Sequence, residues 1–203
     1  MALQNLLIYA WIFTASISLQ AQDTITFLDG RILIGAVEES NDVSTKITLT
    51  KKGRAKIKTK ETLSIYSIHY KEEGMDTLYT VNEAQDLTLS RKEMYLFILG
   101  EQDAHAYYKP YGTVIGGILF GGLFGYLLHD GFYVAGVPLL YTIGSGISTV
   151  KVKNMGNRSA EILMNSAYQE GFIKVARSRK AFYALGSSTA GTLIGAVIGN
   201  MEN

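Results

Sequence analysis

Glycines at four-residue spacing constrain this chain more than any other feature. Gly112, Gly116, Gly117, Gly121, Gly122 and Gly125 fall in one uncharged apolar run, and Gly191, Gly195 and Gly199 recur in another. Glycine every fourth residue strips one face of a helix of side chains. Two such helices can then approach to backbone contact, which is how helices pack in lipid, where the hydrophobic effect gives no drive to pair them. In water each of these glycines would cost roughly 1 kcal/mol against alanine. The C-terminal half of the chain is therefore expected to be membrane-embedded, with these residues as its helix-packing positions.

The uncharged stretches have the matching lengths. Gly112–Leu128 holds 17 residues, Phe132–Val150 holds 19 with Pro138 inside it, and Ala181–Met201 holds 21. A helix needs about 17–25 residues to span a bilayer. His129-Asp130-Gly131 interrupts the first pair, so residues 112–150 read as one span or as a hairpin, and residues 181–201 as a terminal span. Between them, residues 151–180 form a basic amphipathic helix. Ala160, Leu163, Met164, Ala167, Tyr168, Gly171, Phe172 and Val175 recur at three- and four-residue steps. Seven Lys and Arg there face only Glu161 and Glu170.

Residues 1–21 have the apolar stretch and small-residue end of a secretory signal peptide, with an uncleaved anchor as the other reading. The segment after it is expected to be exported. Residues 22–89 change texture to short alternating runs separated by Asp29-Gly30, Ser40-Asn41-Asp42 and Lys52-Gly53, which is strand and turn chemistry. A last strand is expected at Thr77–Val81. Five or six antiparallel strands in about sixty residues suit a small barrel or sandwich. The run from Leu28 to Val37 resembles the strand-turn-strand opening of Sm-like and SH3-like barrels. Lys46, Lys51, Lys52, Arg54, Lys56, Lys58 and Lys60 are basic, but the module carries 9 basic against 11 acidic side chains. The lysine stripe therefore reads as a solvated edge strand. With a formal net charge of +1 on the whole chain, no nucleic-acid partner is expected.

Ser90 with Glu93 makes a capping box that opens a connecting helix over residues 90–111, which Pro110 closes. Catalytic and metal-ligating patterns are missing. The chain has no cysteine, and His69, His105 and His129 are isolated apart from the i,i+4 pair Glu101 and His105, which reads as a solvated contact. No phosphate-binding loop or nucleophile elbow occurs. No catalytic, cofactor or metal site is expected. Asp130 reads as part of a solvated turn.

Gly100, Asp103, Ala104, Tyr107, Tyr108 and Lys109 form one local pattern, and Tyr168, Gly171, Phe172 and Ala176 another, before the glycine-rich terminus. With the module at Asp23–Glu38, this resembles a family of small exported, glycine-rich membrane proteins of Bacteroidetes-type bacteria. The resemblance implies an address and an architecture and no activity. Gly100 and Gly171 are expected to let two helices cross with Tyr107, Tyr108, Tyr168 and Phe172 interleaved.

The fold class is thus α+β: an antiparallel β module followed by a helical glycine-zipper region. The expected function is that of a non-enzymatic envelope membrane protein, an interaction or scaffold component that contacts membrane lipid. Its expected partner is a second copy, joined through the glycines, or another envelope protein. An oligomeric channel lined by Ser187, Ser188, Thr189 and Thr192 is the alternative. The choice between inner and outer membrane stays open, because a hairpin at 112–150 would place the basic segment on the exported side, against the positive-inside tendency.

Overall fold

The computed structural model describes residues 22–51, 54–72, 74–82, 84, 87–128, 131–152 and 158–201. The expected signal peptide, the Lys52-Gly53 turn and the His129-Asp130 pair lie outside the described residues. The chain divides into a sheet unit, residues up to Phe27 with Ile32–Tyr79, and a helical unit, Leu28–Arg31 with the residues from Thr80 onward.

The sheet unit is six-stranded and antiparallel: β1 (Asp23–Phe27), β2 (Ile32–Ser40), β3 (Ser44–Lys51), β4 (Arg54–Glu61), β5 (Ile65–Tyr70) and β6 (Gly74–Asp76). The order is β4-β3-β2-β1-β5-β6, with a 3-10 turn at Thr62–Ser64 between β4 and β5. Turn chemistry sets the register. Gly30 takes φ 75°, which side chains disfavour. The Asn41 side chain accepts from the Val43 and Ser44 amides. Ile25 stands opposite Leu33 and Ile68, and Val37 opposite Ile47, so one face collects the core of Ile25, Phe27, Ile47, Ile65 and Ile68. β4 closes one end of the sheet as an exposed edge strand. Its Lys56 and Lys58 stand opposite Leu49 and Ile47 but outside the core, where lysines discourage edge-to-edge pairing. Lys46 pairs with Glu39 at 2.5 Å.

The strand expected at Thr77–Val81 does not form. The chain turns at Gly74, whose φ is 91°, and pairs three residues earlier, as β6. Tyr79 then reaches β5 singly, its amide donating to the Tyr66 carbonyl.

The helical unit contains α1 (Arg91–Tyr107), α2 (Tyr111–Leu127), a 3-10 segment Phe132–Gly136 leading into α3 (Val137–Ile147), the short α4 (Ala160–Met164) and α5 (Ser166–Met201). The capping box forms as its residues require: Ser90 Oγ accepts from the Glu93 amide, and the Ser90 amide donates to the Glu93 carboxylate at 2.9 Å. Pro110 ends α1, and the chain turns 54° into α2. Pro138 opens α3 rather than breaking it, since proline's missing N–H costs nothing in a first turn.

The C-terminal helix differs from expectation. The segment 151–180 and the span 181–201 do not form separate helices: α5 runs unbroken for 36 residues through their boundary. Nothing at residues 177–184 breaks a helix. The N-terminal break comes earlier, at Asn165, whose side-chain oxygen accepts from the Ala167 amide at 3.0 Å and caps α5. α5 is long and apolar enough to cross a membrane, and only 28% of its apolar window is buried within the protein.

Candidate functional site: a glycine seam and its polar end

α5 is the element on which the others of this unit are built. α1 lies along its first half, α2 along its second, both parallel to it. Leu96 packs by Ala167, Ala104 by Phe172 and Ala176, and Gly121 and Gly125 by Ser188 and Thr192. α3 runs back antiparallel, with Pro138 beside Ser188 and Ser148 beside Lys180.

The two glycine runs meet each other within one chain. A Cβ on Gly195 would overlap the Gly122 carbonyl oxygen and lie 2.7 Å from the Tyr126 nitrogen. A Cβ on Gly191 would lie 2.9 Å from the Gly122 nitrogen, one on Gly121 2.8 Å from the Thr192 nitrogen, and one on Gly117 3.1 Å from the Ser188 nitrogen. Gly125 faces the Thr192 backbone, and Gly199 is buried on α5. Gly116 meets a side chain instead, the Tyr141 hydroxyl, which donates to the Thr113 carbonyl at 2.8 Å and ties α3 to α2. Gly112 packs against nothing: no atom lies within 4 Å of where its Cβ would be. Ser188 and Thr192 sit buried in the seam, their hydroxyls bonded to the Ala184 and Ser188 carbonyls of their own helix.

The second glycine crossing joins α1 to α5. Gly100 faces the Tyr168 carbonyl and Gly171 the Phe97 carbonyl. Tyr108 and Phe172 meet edge to face, centroids 6.2 Å apart, and Tyr168 stacks on Phe172. Tyr107 does not join them; it is exposed on the far side of α1.

This crossing also holds charge that the sequence pattern does not announce. Asp103, 5% exposed, accepts two bonds from the Arg158 guanidinium at 2.9 and 3.0 Å and one from the Tyr168 hydroxyl at 2.9 Å. Burial, and then the bond to Asp103, pushes the Tyr168 phenol well above its ordinary pKa, and the same carboxylate raises Arg158. Glu101 is not the solvated partner of His105. It is 1% exposed and paired with Lys174 at 2.8 Å, while His105 points outward. Among the described residues no group of three potential ligands is placed to hold a metal ion. Asp103 and Tyr168 both belong to the local patterns in the sequence, but nothing in their spacing shows that they bond to each other.

Two further cations close helix ends. Arg179 donates to the Ala104 and His105 carbonyls at the C-terminus of α1. Lys180, 8% exposed, donates to the Ser148 carbonyl at 3.0 Å and to its hydroxyl, at the C-terminus of α3. Both positions complement the negative end of a helix dipole. Beside Lys180, a groove of about 600 Å³ opens between α2 and α3.

No family model, no curated protein and no solved structure matches this chain.

Proposed function

We propose that the protein is a non-enzymatic membrane component of the cell envelope, embedded through α2, α3 and the second half of α5, with the sheet unit on the exported side as its partner surface. The supporting observation is the inside-out distribution of side chains around the seam. Glycine, serine and threonine face inward. Leu119, Leu123, Leu140, Ile143, Leu193 and Ile194 face outward and are exposed. In water a continuous apolar belt of this kind drives aggregation, and in lipid it is the solvated surface. The apolar segment at residues 1–21 and the likeness to small exported glycine-rich proteins of Bacteroidetes-type bacteria support the envelope address.

In this reading α2 crosses inward from the module's exported side and α3 returns, so residues up to 110 and from 148 to 180 lie on the exported side of the membrane. The basic character of 151–180 is less of an obstacle than its count implies. Arg158 and Lys174 are neutralised by Asp103 and Glu101, and Arg179 and Lys180 are bonded to helix-end carbonyls. The glycine seam closes the fold of a single chain, so a partner, whether a second copy or another envelope protein, engages the sheet unit or the outer helix faces. Nothing favours the channel alternative: Ser188 and Thr192 bond within the seam instead of lining an opening.

Single cysteines at Ser40, Ser159 and Met201 test the reading, since the chain has no native thiol. A membrane-impermeant reagent applied outside the inner membrane should label Ser40→Cys and Ser159→Cys and leave Met201→Cys protected until the membrane is opened. Labelling of Ser40→Cys with protection of Ser159→Cys would refute the hairpin. Release of the protein by alkaline carbonate would refute embedding altogether.

A further inference from the structure

Among the described residues of the apolar helices, Gly112, Gly144, Gly146 and Gly186 do no packing, and two of these four line one groove. Gly112 on α2 and Gly144 on α3 have no atom within 4 Å of where a Cβ would sit. A helical glycine that neither packs nor turns the chain costs stability for no structural return. Both line the same groove, with Phe120 and the exposed Leu140 on its apolar side. At its polar end sit Ser148 and Lys180, and the lysine is more than nine-tenths buried. Among the described residues no carboxylate pairs with Lys180; its partners are the Ser148 carbonyl and hydroxyl. Arg158 and Lys174 are matched by Asp103 and Glu101, whereas Arg179, like Lys180, is held by helix-end carbonyls; of these four, Lys180 is the one that lines the groove.

We infer that this groove binds one anionic phospholipid, with the headgroup phosphate on Lys180 and Ser148 and an acyl chain passing over the Gly112–Gly144 floor onto Phe120 and Leu140. The inference rests on the membrane reading above. A buried ammonium favours an anion that can reach it. Side chains at positions 112 and 144 would fill the path the chain takes. The groove opens beside Leu140, which is 66% exposed on the apolar belt, so a tail leaving it meets lipid. A free anion would use the polar end and gain nothing from the bare floor.

The test uses the full-length protein in a neutral detergent, with short-chain phosphatidylglycerol and phosphatidylcholine as probes and bound lipid counted by native mass spectrometry. Wild type should prefer the anionic lipid about fivefold, the factor one lysine supplies at an anionic surface. Lys180→Met should abolish the preference. Since that change also uncaps α3, Gly144→Leu and Gly112→Leu serve as independent probes: they fill open space, leave the seam untouched, and should weaken binding of both lipids while the helical circular dichroism stays as in wild type. Unchanged binding in Gly144→Leu and Gly112→Leu, or an unchanged preference in Lys180→Met, would overturn the site. So would competition by inorganic phosphate at the concentration at which phosphatidylglycerol binds, which would mark a plain anion site. Carbonate extraction of the wild type with lipid selectivity intact would sink the embedding and leave the site standing. Firm embedding with no selectivity would do the reverse.

Discussion

Gly→Ala is the smallest change that separates packing from propensity, and the helical unit offers a matched pair. At Gly195 an added methyl overlaps the Gly122 carbonyl and approaches the Tyr126 nitrogen to 2.7 Å, where ordinary contacts begin at 3.4 Å. Both neighbours are backbone, so no side chain can swing aside. α2 and α5 must part by about 1 Å along the seam, and overpacking of that kind costs about 1–3 kcal/mol. The gain in helix propensity returns roughly 1 kcal/mol, so Gly195→Ala should lose about 2 kcal/mol at the upper end of that range. At Gly144 nothing lies within 4 Å, so only the propensity term acts, and Gly144→Ala should gain up to about 1 kcal/mol. The assay is thermal unfolding of the two purified variants in the same detergent, monitored by helical circular dichroism. Opposite signs are the expected result. Equal shifts in the same direction would show that α2 and α5 are not apposed at Gly122 and Gly195, and the in-chain seam would be wrong.

Asp103→Asn should destabilise the protein by about 2 kcal/mol in the same assay, because a buried charged acceptor of three bonds is replaced by a neutral amide that turns a donor toward Arg158; a loss under about 0.5 kcal/mol would mean that the pair behaves as a solvated one. Tyr168 gives the pH dependence. Its folded pKa is raised, so its contribution is whole below the unfolded value of about 10 and is lost as pH rises through the folded value. Wild type should therefore lose stability above about pH 10 more steeply than Tyr168→Phe, and parallel curves would show that the phenol is not buried against Asp103.

The elements legible in the sequence are those whose causes are local. Asp29-Gly30 forms its turn with Gly30 at positive φ, Ser90 and Glu93 form their box, and the glycines lie on helix faces bare of side chains. What glycine spacing does not encode is the mate. A four-residue repeat defines a face, and the face fits a second copy as well as another part of the same chain, so self-association and the in-chain seam look alike in sequence. Glu101 and Asp103 are opaque for a similar reason. Each is a surface residue by type and becomes buried only because a cation more than fifty residues away arrives to match it. Lys180 is visible as one of a basic group flanking a span; that it turns inward depends on where α3 ends. The break expected between the amphipathic segment and the terminal span rests on a change in composition, and a helix continues through such a change when no residue interrupts its hydrogen bonds.

That continuity has a mechanical consequence. At 1.5 Å per residue, α5 is about 54 Å long, and its apolar terminal stretch accounts for about 31 Å of that, close to the hydrocarbon thickness of a bilayer. If that stretch spans a membrane as proposed, the remaining 15 residues or so, about 22 Å, stand outside it as an extension of the same rod. That extension carries Tyr168, which donates to Asp103, and Lys174, which pairs with Glu101. In the proposed membrane setting, a change of tilt or depth in the apolar part, from a thinner bilayer or a bound partner, would therefore be delivered without a hinge to the Asp103 and Glu101 bonds. The helix would act as a lever whose far arm ends at two buried carboxylates.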